Sequence, residues 1–176
     1  MAKARRSWRE KLADSKGLPK QIVLTGKAAV KWGEGVMVVP APKDVDAVMR
    51  QVPPKRLDTG AELREALAQK ARVDSACPIT TGIFSWIAAH AAQEAEDEGA
   101  KKITPWWRTL KSGGELNPKF PGGPALQKKR LEAEGHRIVT KGKRLFVADY
   151  EAAVWTPRGR VADRGRARGA GRKRPG

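Results

Sequence analysis

Few side chains in this sequence carry the chemistry of a nucleophile, a general base or a metal ligand. Cys77 is the one thiol, and His90 and His136 are the two imidazoles. A single cysteine forbids an internal disulfide, and no Cys/His cluster has zinc-site spacing, so neither a metal nor a cofactor is expected. Cys77 as a nucleophile would need a neighbour that stabilises its thiolate; otherwise a lone cysteine is a small buried hydrophobe. His90 falls on an apolar helical stripe, which suits a core or interface imidazole. His136 follows Glu134 and Gly135 in a turn, where it either contacts phosphate or faces solvent. The unusual stretch is ITPWWRTLKSGGELNPKF, residues 103–120. Trp106 and Trp107, set between Pro105 and Arg108, put two flat apolar faces beside positive charge. An indole nitrogen only donates, so neither ring can act as nucleophile, base or proton relay. Indole does offer a stacking face, and the plainer alternative is that the rings pack as core.

Charge narrows the class of partner. The 176 residues carry a formal net charge of +17 with a pI of about 10.5, which favours polyanions. Residues 1–31 hold nine basic against two acidic side chains, and residues 156–176 hold eight against one. Residues 101–144 hold twelve against three, whereas 32–100 are acidic by four. The basic character therefore sits in both ends and in one half of the body. No apolar run approaches the length of about 18 residues that spans a bilayer, and the N-terminus lacks the apolar segment of a signal peptide, so no membrane partner and a cytoplasmic, nucleoid-associated location are expected.

Helical and strand patterns supply the elements that must position these groups. Residues 1–20 read as a basic, partly helical arm in which Trp8 and Leu12 either dock to the body or mark a short amphipathic turn. Residues 21–42 read as short strands with Gly turns, clearest over Val36–Val39. Val45, Val48, Met49 and Val52 have the i, i+3, i+4, i+7 spacing of a short helix, ended by Pro53 and Pro54. Thr59 and Glu62 have capping-box spacing ahead of Leu63, Ala66 and Leu67. Thr80 or Thr81 is expected to cap a helix with the stripe Ile83, Trp86, Ile87, His90 and a stop at Gly99. Its last turn is rich in carboxylates that would repel phosphates, so only its N-terminal end can lead into a groove. A third helix from Pro124 buries Leu126 and Leu131 and stops at Gly135, and a hairpin with the basic tip Lys141-Gly142-Lys143 follows. Together these predict an α+β chain with a winged helix-turn-helix, an architecture that mostly binds DNA. The expected organisation is an arm over 1–20, an extension with short strands and a helix over 21–51, the winged-helix domain over 52–155, and a disordered Arg/Gly-rich tail over 156–176.

From about Val52 to Val147 the chain resembles the C-terminal DNA-binding domain of the alkylguanine-DNA alkyltransferases, also called methylated-DNA-protein-cysteine methyltransferases. The segments that carry the resemblance are VPPKRLDTGAELREAL, ITTGIFSWIAA, TPWWRTLKSGGELN, FPGG and ALQKKRLEAEGHRI, in that order. They cover just over half the chain, and residues 1–51 match the family's usual N-terminal domain poorly. The family's Pro-Cys-His-Arg segment corresponds to Pro105–Arg108, so its nucleophilic cysteine and its histidine are replaced here by Trp106 and Trp107. The resemblance therefore implies a chain without methyl transfer, like the alkyltransferase-like proteins that bind alkylated bases without repairing them. It places Trp106, Trp107, Phe120 and Glu134 at a base pocket, with Phe120 where the family has a tyrosine and Glu134 as a supporting glutamate left without a histidine to orient. It also implies that the family's inserted arginine is missing from Pro78–Gly82, and its phosphate-rotating tyrosine from Thr59 or Gly60. Stacking a base on an aromatic contributes about 1–3 kcal/mol, offsetting part of an unstacking cost of a few kcal/mol.

The expected DNA contacts are Thr80 and Thr81 at a helix N-terminus, Arg108 and Lys111 flanking the tryptophan pair, Lys128 on the third helix, and Lys141, Lys143 and Arg144 at the hairpin. Capping alone would account for the two threonines, and a solvated helix face for Lys128. The reading is a non-catalytic protein of DNA repair that binds double-stranded DNA and tests guanines for alkylation, with an unidentified repair protein as a further partner. One alternative is a nucleoid-type or RNA-binding protein that kept the fold. The other is a methyltransferase acting through Cys77.

Overall fold

The structure, a computed structural model, describes residues 4–156. The tail expected over 156–176 therefore lies outside the described residues, apart from Thr156. Ser7 and Glu10 form a capping box that starts α1 (Trp8–Ala13). The arm takes the docked alternative, because Trp8 stacks on His90 with ring centroids 4.4 Å apart. Next come β1 (Lys20–Leu24), α2 (Gly26–Trp32) and β2 (Gly35–Val39). The helix α2 corrects the expected Gly turn. Ala28, Ala29 and Trp32 pack against a cluster of Leu24, Met37, Val39 and Cys77, and Gly33 ends the helix at φ 91°, a value that glycine adopts without strain.

The helix α3 (Pro42–Met49) buries Val45, Val48 and Met49 as its spacing predicts. The short strand β3 (Asp58–Thr59) leads into α4 (Gly60–Ala71), where the Thr59/Glu62 capping box is formed. A brief β4 (Ser75–Ala76) completes a three-stranded sheet of order β1-β2-β4, antiparallel on one side of β2 and parallel on the other. Then α5 (Pro78–Asp97) runs for 20 residues through the core.

Two expectations about α5 are corrected. Its first residue is Pro78 and its cap residue is Cys77, so Thr80 and Thr81 lie in the first turn and cap nothing; Pro is favoured there because its missing N–H would be unpaired anyway. Its core face is Thr81, Phe84, Ser85, Ile87 and Ala88, rotated from the expected stripe, so Ile83 is 41% exposed and Trp86 and His90 are half-buried. The small side chains Ala88, Ala89, Ala91 and Ala92 share that core face with Phe84 and Ile87.

Past α5, a 3-10 turn over Trp106–Arg108 leads into β5 (Thr109–Leu110), parallel to β3 with Asp58 opposite Thr109. The helix α6 (Gly123–Ala133) buries Leu131 and Gln127, whereas Leu126 is only half-buried. The strands β6 (Ile138–Lys141) and β7 (Arg144–Val147) form the predicted hairpin, closed by the pair Lys141 and Arg144 around Gly142 at φ 63°. Leu57, Leu110, Leu116, Leu131 and Val147 make the apolar cluster that carries it. The described chain is a mixed helix-and-strand fold.

Candidate functional site

A cavity of about 580 Å3 opens between α4, the first two turns of α5 and the loops around 109–112 and 117–120. Leu63, Trp86 and Phe120 give it apolar walls, and Arg64, Lys111 and Lys119 stand among its lining residues. No acidic side chain is among the described residues that line it. Thr81 also lines it, is 2% exposed, and has a hydroxyl with no partner among the described residues.

Trp106 does not face this cavity, which corrects the expected base pocket. It is fully buried, in T-shaped contact with Phe120 at 6.0 Å and with Trp107 at 5.9 Å. The Arg130 guanidinium lies 5.4 Å from its ring centroid. The 3-10 turn directs the first indole inward, where it fills the space behind Phe120. Of the four residues expected at the pocket, Phe120 alone lines the cavity. Trp107 is half-buried between the two core clusters, with Arg130 4.7 Å and Arg108 5.3 Å from its ring.

Glu134 is occupied by Arg108. Two hydrogen bonds from Arg108 Nε at 3.0 and 3.1 Å and one from Nη2 at 2.5 Å reach its carboxylate, and the Lys55 amide donates to it as well. Burial pushes the Glu134 carboxyl up, but the Arg108 bonds and charge outweigh burial and hold it below its ordinary value. Arg108 in turn is 9% exposed and donates to the Val52 carbonyl at 2.8 Å, so it braces the fold and is not presented to DNA. This corrects its expected role. His136 beside this pair is pushed below its ordinary value by burial, against the opposing charge of Glu134.

The remaining cations are presented to different degrees. Lys141 and Lys143 are exposed at the hairpin, with Lys141 5.2 Å from the Phe146 ring. Arg144 grips Glu115 through two bonds of 2.9 and 2.7 Å while its side chain stays 62% exposed, and those bonds lower the Glu115 pKa. Lys111 lies 3.5 Å from Glu115 at the cavity, and Lys128 lies 3.9 Å from Glu132 away from it. Thr80 is half-buried with an unpaired hydroxyl. Cys77 is 8% exposed among Leu24, Met37 and Val39 and does not line the cavity.

Sequence reasoning missed Arg64, Ile79, Ile83 and Lys119. Ile79 and Ile83 are one helical turn apart, and the expected stripe of Ile83, Trp86, Ile87 and His90 leaves Ile79 out. Lys119 precedes Phe120, and His90 Nε2 donates to its carbonyl at 2.8 Å, so the arm helix, α5 and the cavity loop meet at one imidazole.

No family model matches the sequence, and no curated protein matches it. Among solved structures, the chain is similar at 20% identity and a TM-score of 0.44 to S. pombe Atl1 in complex with damaged DNA containing O6-carboxymethylguanine, covering 66% of this chain and 94% of that one. It is likewise similar, at 21% identity and a TM-score of 0.41, to S. pombe ATL in complex with DNA, covering 65% of this chain and 93% of that one.

Proposed function

We propose that this chain is a non-catalytic DNA-binding protein of the alkyltransferase-like kind, which takes a guanine from duplex DNA into the cavity beside Phe120 and holds alkylated guanine more tightly than plain guanine. The cavity carries this reading. It combines aromatic walls with a rim of Arg64, Lys111 and Lys119, which is the chemistry that a flat heterocycle on a phosphate chain requires. In this reading α4, α5 and the β6–β7 hairpin act as a winged helix-turn-helix, with the N-terminal end of α5 leading and its carboxylate-rich end turned away. No lining residue is a nucleophile of the family's kind, and Cys77 is packed among apolar side chains, so binding and not transfer is the function.

The test is a binding comparison at fixed salt between duplexes with and without one alkylated guanine. The wild type should prefer the modified duplex. Phe120→Leu, which keeps an apolar side chain but removes the flat ring, should reduce that preference about fivefold or more, with little change for the plain duplex. Equal affinity of the wild type for both duplexes would refute lesion recognition. A mass increase on the protein after incubation with methylated DNA would restore the transferase reading.

A further inference from the structure

The sheet built by β1, β2 and β4 has an open edge at β1. Val36 and Val38 turn their carbonyls towards β4, accepting from the Asp74 and Cys77 amides at 3.0 and 2.9 Å. Successive residues of a strand direct their backbone groups to opposite sides, so Gly35, Met37 and Val39 bond to their partners Leu24, Ile22 and Lys20 in β1. The amides and carbonyls of Gln21 and Val23 therefore turn outward, and they have no partner among the described residues. Proteins ordinarily blunt such an edge with a charge, a proline or a covering segment. Here its middle is Ile22 and Val23, both exposed, Val23 at 67%.

A second cavity, of about 320 Å3, adjoins this edge. Gln21 and Val38 are directly paired and so share one face of the sheet; both line the cavity, with Pro40 and Leu67 as apolar wall. Lys20 and Lys70 line it too, and the one carboxylate among its lining residues, that of Asp44, is already held by Lys70 at 3.1 Å. Residues 15–33, which contain β1, hold four lysines and no acidic side chain. The free backbone groups select an extended chain, the cavity an apolar side chain, and the lysines carboxylates. A second copy of this chain would set those lysines against their own kind.

We infer that β1 is a docking edge for an extended, acidic segment of a partner protein, which adds as a further strand along residues 21–23, sets an apolar side chain into the cavity beside Leu67 and presents carboxylates to Lys20. Main-chain bonds give such a complex its affinity, and the pocket gives it selectivity. None of the residues that line this cavity lines the one beside Phe120, so the partner is held without occupying the cavity proposed for DNA.

The test selects a displayed library of random peptides, each about twelve residues long, on the full chain and on its Val23→Pro variant. Proline is tolerated at an edge where the N–H faces outward, so this variant keeps the β1–β2 ladder and the net charge but loses one docking amide. The wild type should enrich peptides that alternate apolar and acidic residues. A synthetic copy of the most enriched peptide should bind Val23→Pro about tenfold or more weakly, and Lys20→Glu several-fold more weakly. On the wild type it should slow hydrogen exchange of the Gln21 and Val23 amides about tenfold or more, a readout that does not depend on the folding of either variant. Equal enrichment on both proteins would overturn the inference, as would enriched peptides without acidic residues. Exchange at Gln21 and Val23 unchanged by bound peptide would overturn it as well. Dimerisation of the wild type that Val23→Pro abolishes would replace the partner with a second copy.

Discussion

Trp106 shows how a side chain next to a cavity can act entirely through support. It touches no open space, yet it backs Phe120, which does. Trp106→Ala should lower stability by about 3–5 kcal/mol, the range for emptying a buried aromatic site, as urea unfolding would measure. A loss below about 1 kcal/mol would mean that the ring is not packed as described. The same substitution should also weaken discrimination between duplexes, because Phe120 would lose its backing. Residue identity in the sequence indicates that the pair is inert as chemistry, because indole lacks a lone pair to share. Which way each ring points was not legible, since a Pro-bounded 3-10 turn can present either residue inward. Arg108 was misread for a similar reason: the partner that removes it from the surface, Glu134, lies 26 residues away in the chain.

Among the elements, those whose signals are local were legible. The Thr59/Glu62 capping box, the α3 stripe, the basic hairpin and the stop at Gly99 each depend on residues within a turn or two. What failed depended on tertiary packing: α2 is held by a cluster drawn from β1, β2 and Cys77, and the face that α5 buries is set by α3 and α4. The bridge of β3 to β5 was also invisible, because parallel pairing of two-residue strands leaves no periodicity. That bridge carries a titration. Asp58 is 2% exposed, one of its oxygens has no partner among the described residues, and burial, with the Glu62 charge adding to it, pushes its carboxyl up to about 7. The folded state therefore binds this proton more tightly than the unfolded chain does. Its contribution to stability is complete below about pH 4 and is lost as pH rises to about 7, at an order of magnitude of 4 kcal/mol. Asp58→Asn should flatten this fall, so its stability advantage over wild type should grow between pH 4 and 8 in urea titrations. A constant difference across that range would show that Asp58 ionises normally.

For the whole molecule, most of the positive charge lies towards the chain ends, since residues 1–31 and 156–176 together carry +14 of the +17. Within the body, Arg108, Arg130 and Arg144 are each paired with a glutamate and hold elements together. The ends matter correspondingly more for non-specific attraction. Removing residues 157–176 takes away eight basic and one acidic side chain and leaves +10 of the +17. Each phosphate neutralised adds about 0.9 to the salt slope, so engagement of half of those cations would make the truncated chain shallower by about 3–4 in log affinity against log salt. The ratio of affinities for modified and plain duplexes should stay the same. An unchanged slope would mean that the tail does not touch DNA.

Binding at one end of this molecule need not stay local. His90 is stacked against the Trp8 ring on one side and donates a hydrogen bond to the Lys119 carbonyl, at the lip beside Phe120, on the other. Whatever lifts the N-terminal arm, a passing strand or a protease, pulls away half of that clasp, and the lip of the cavity loses an anchor at the same moment.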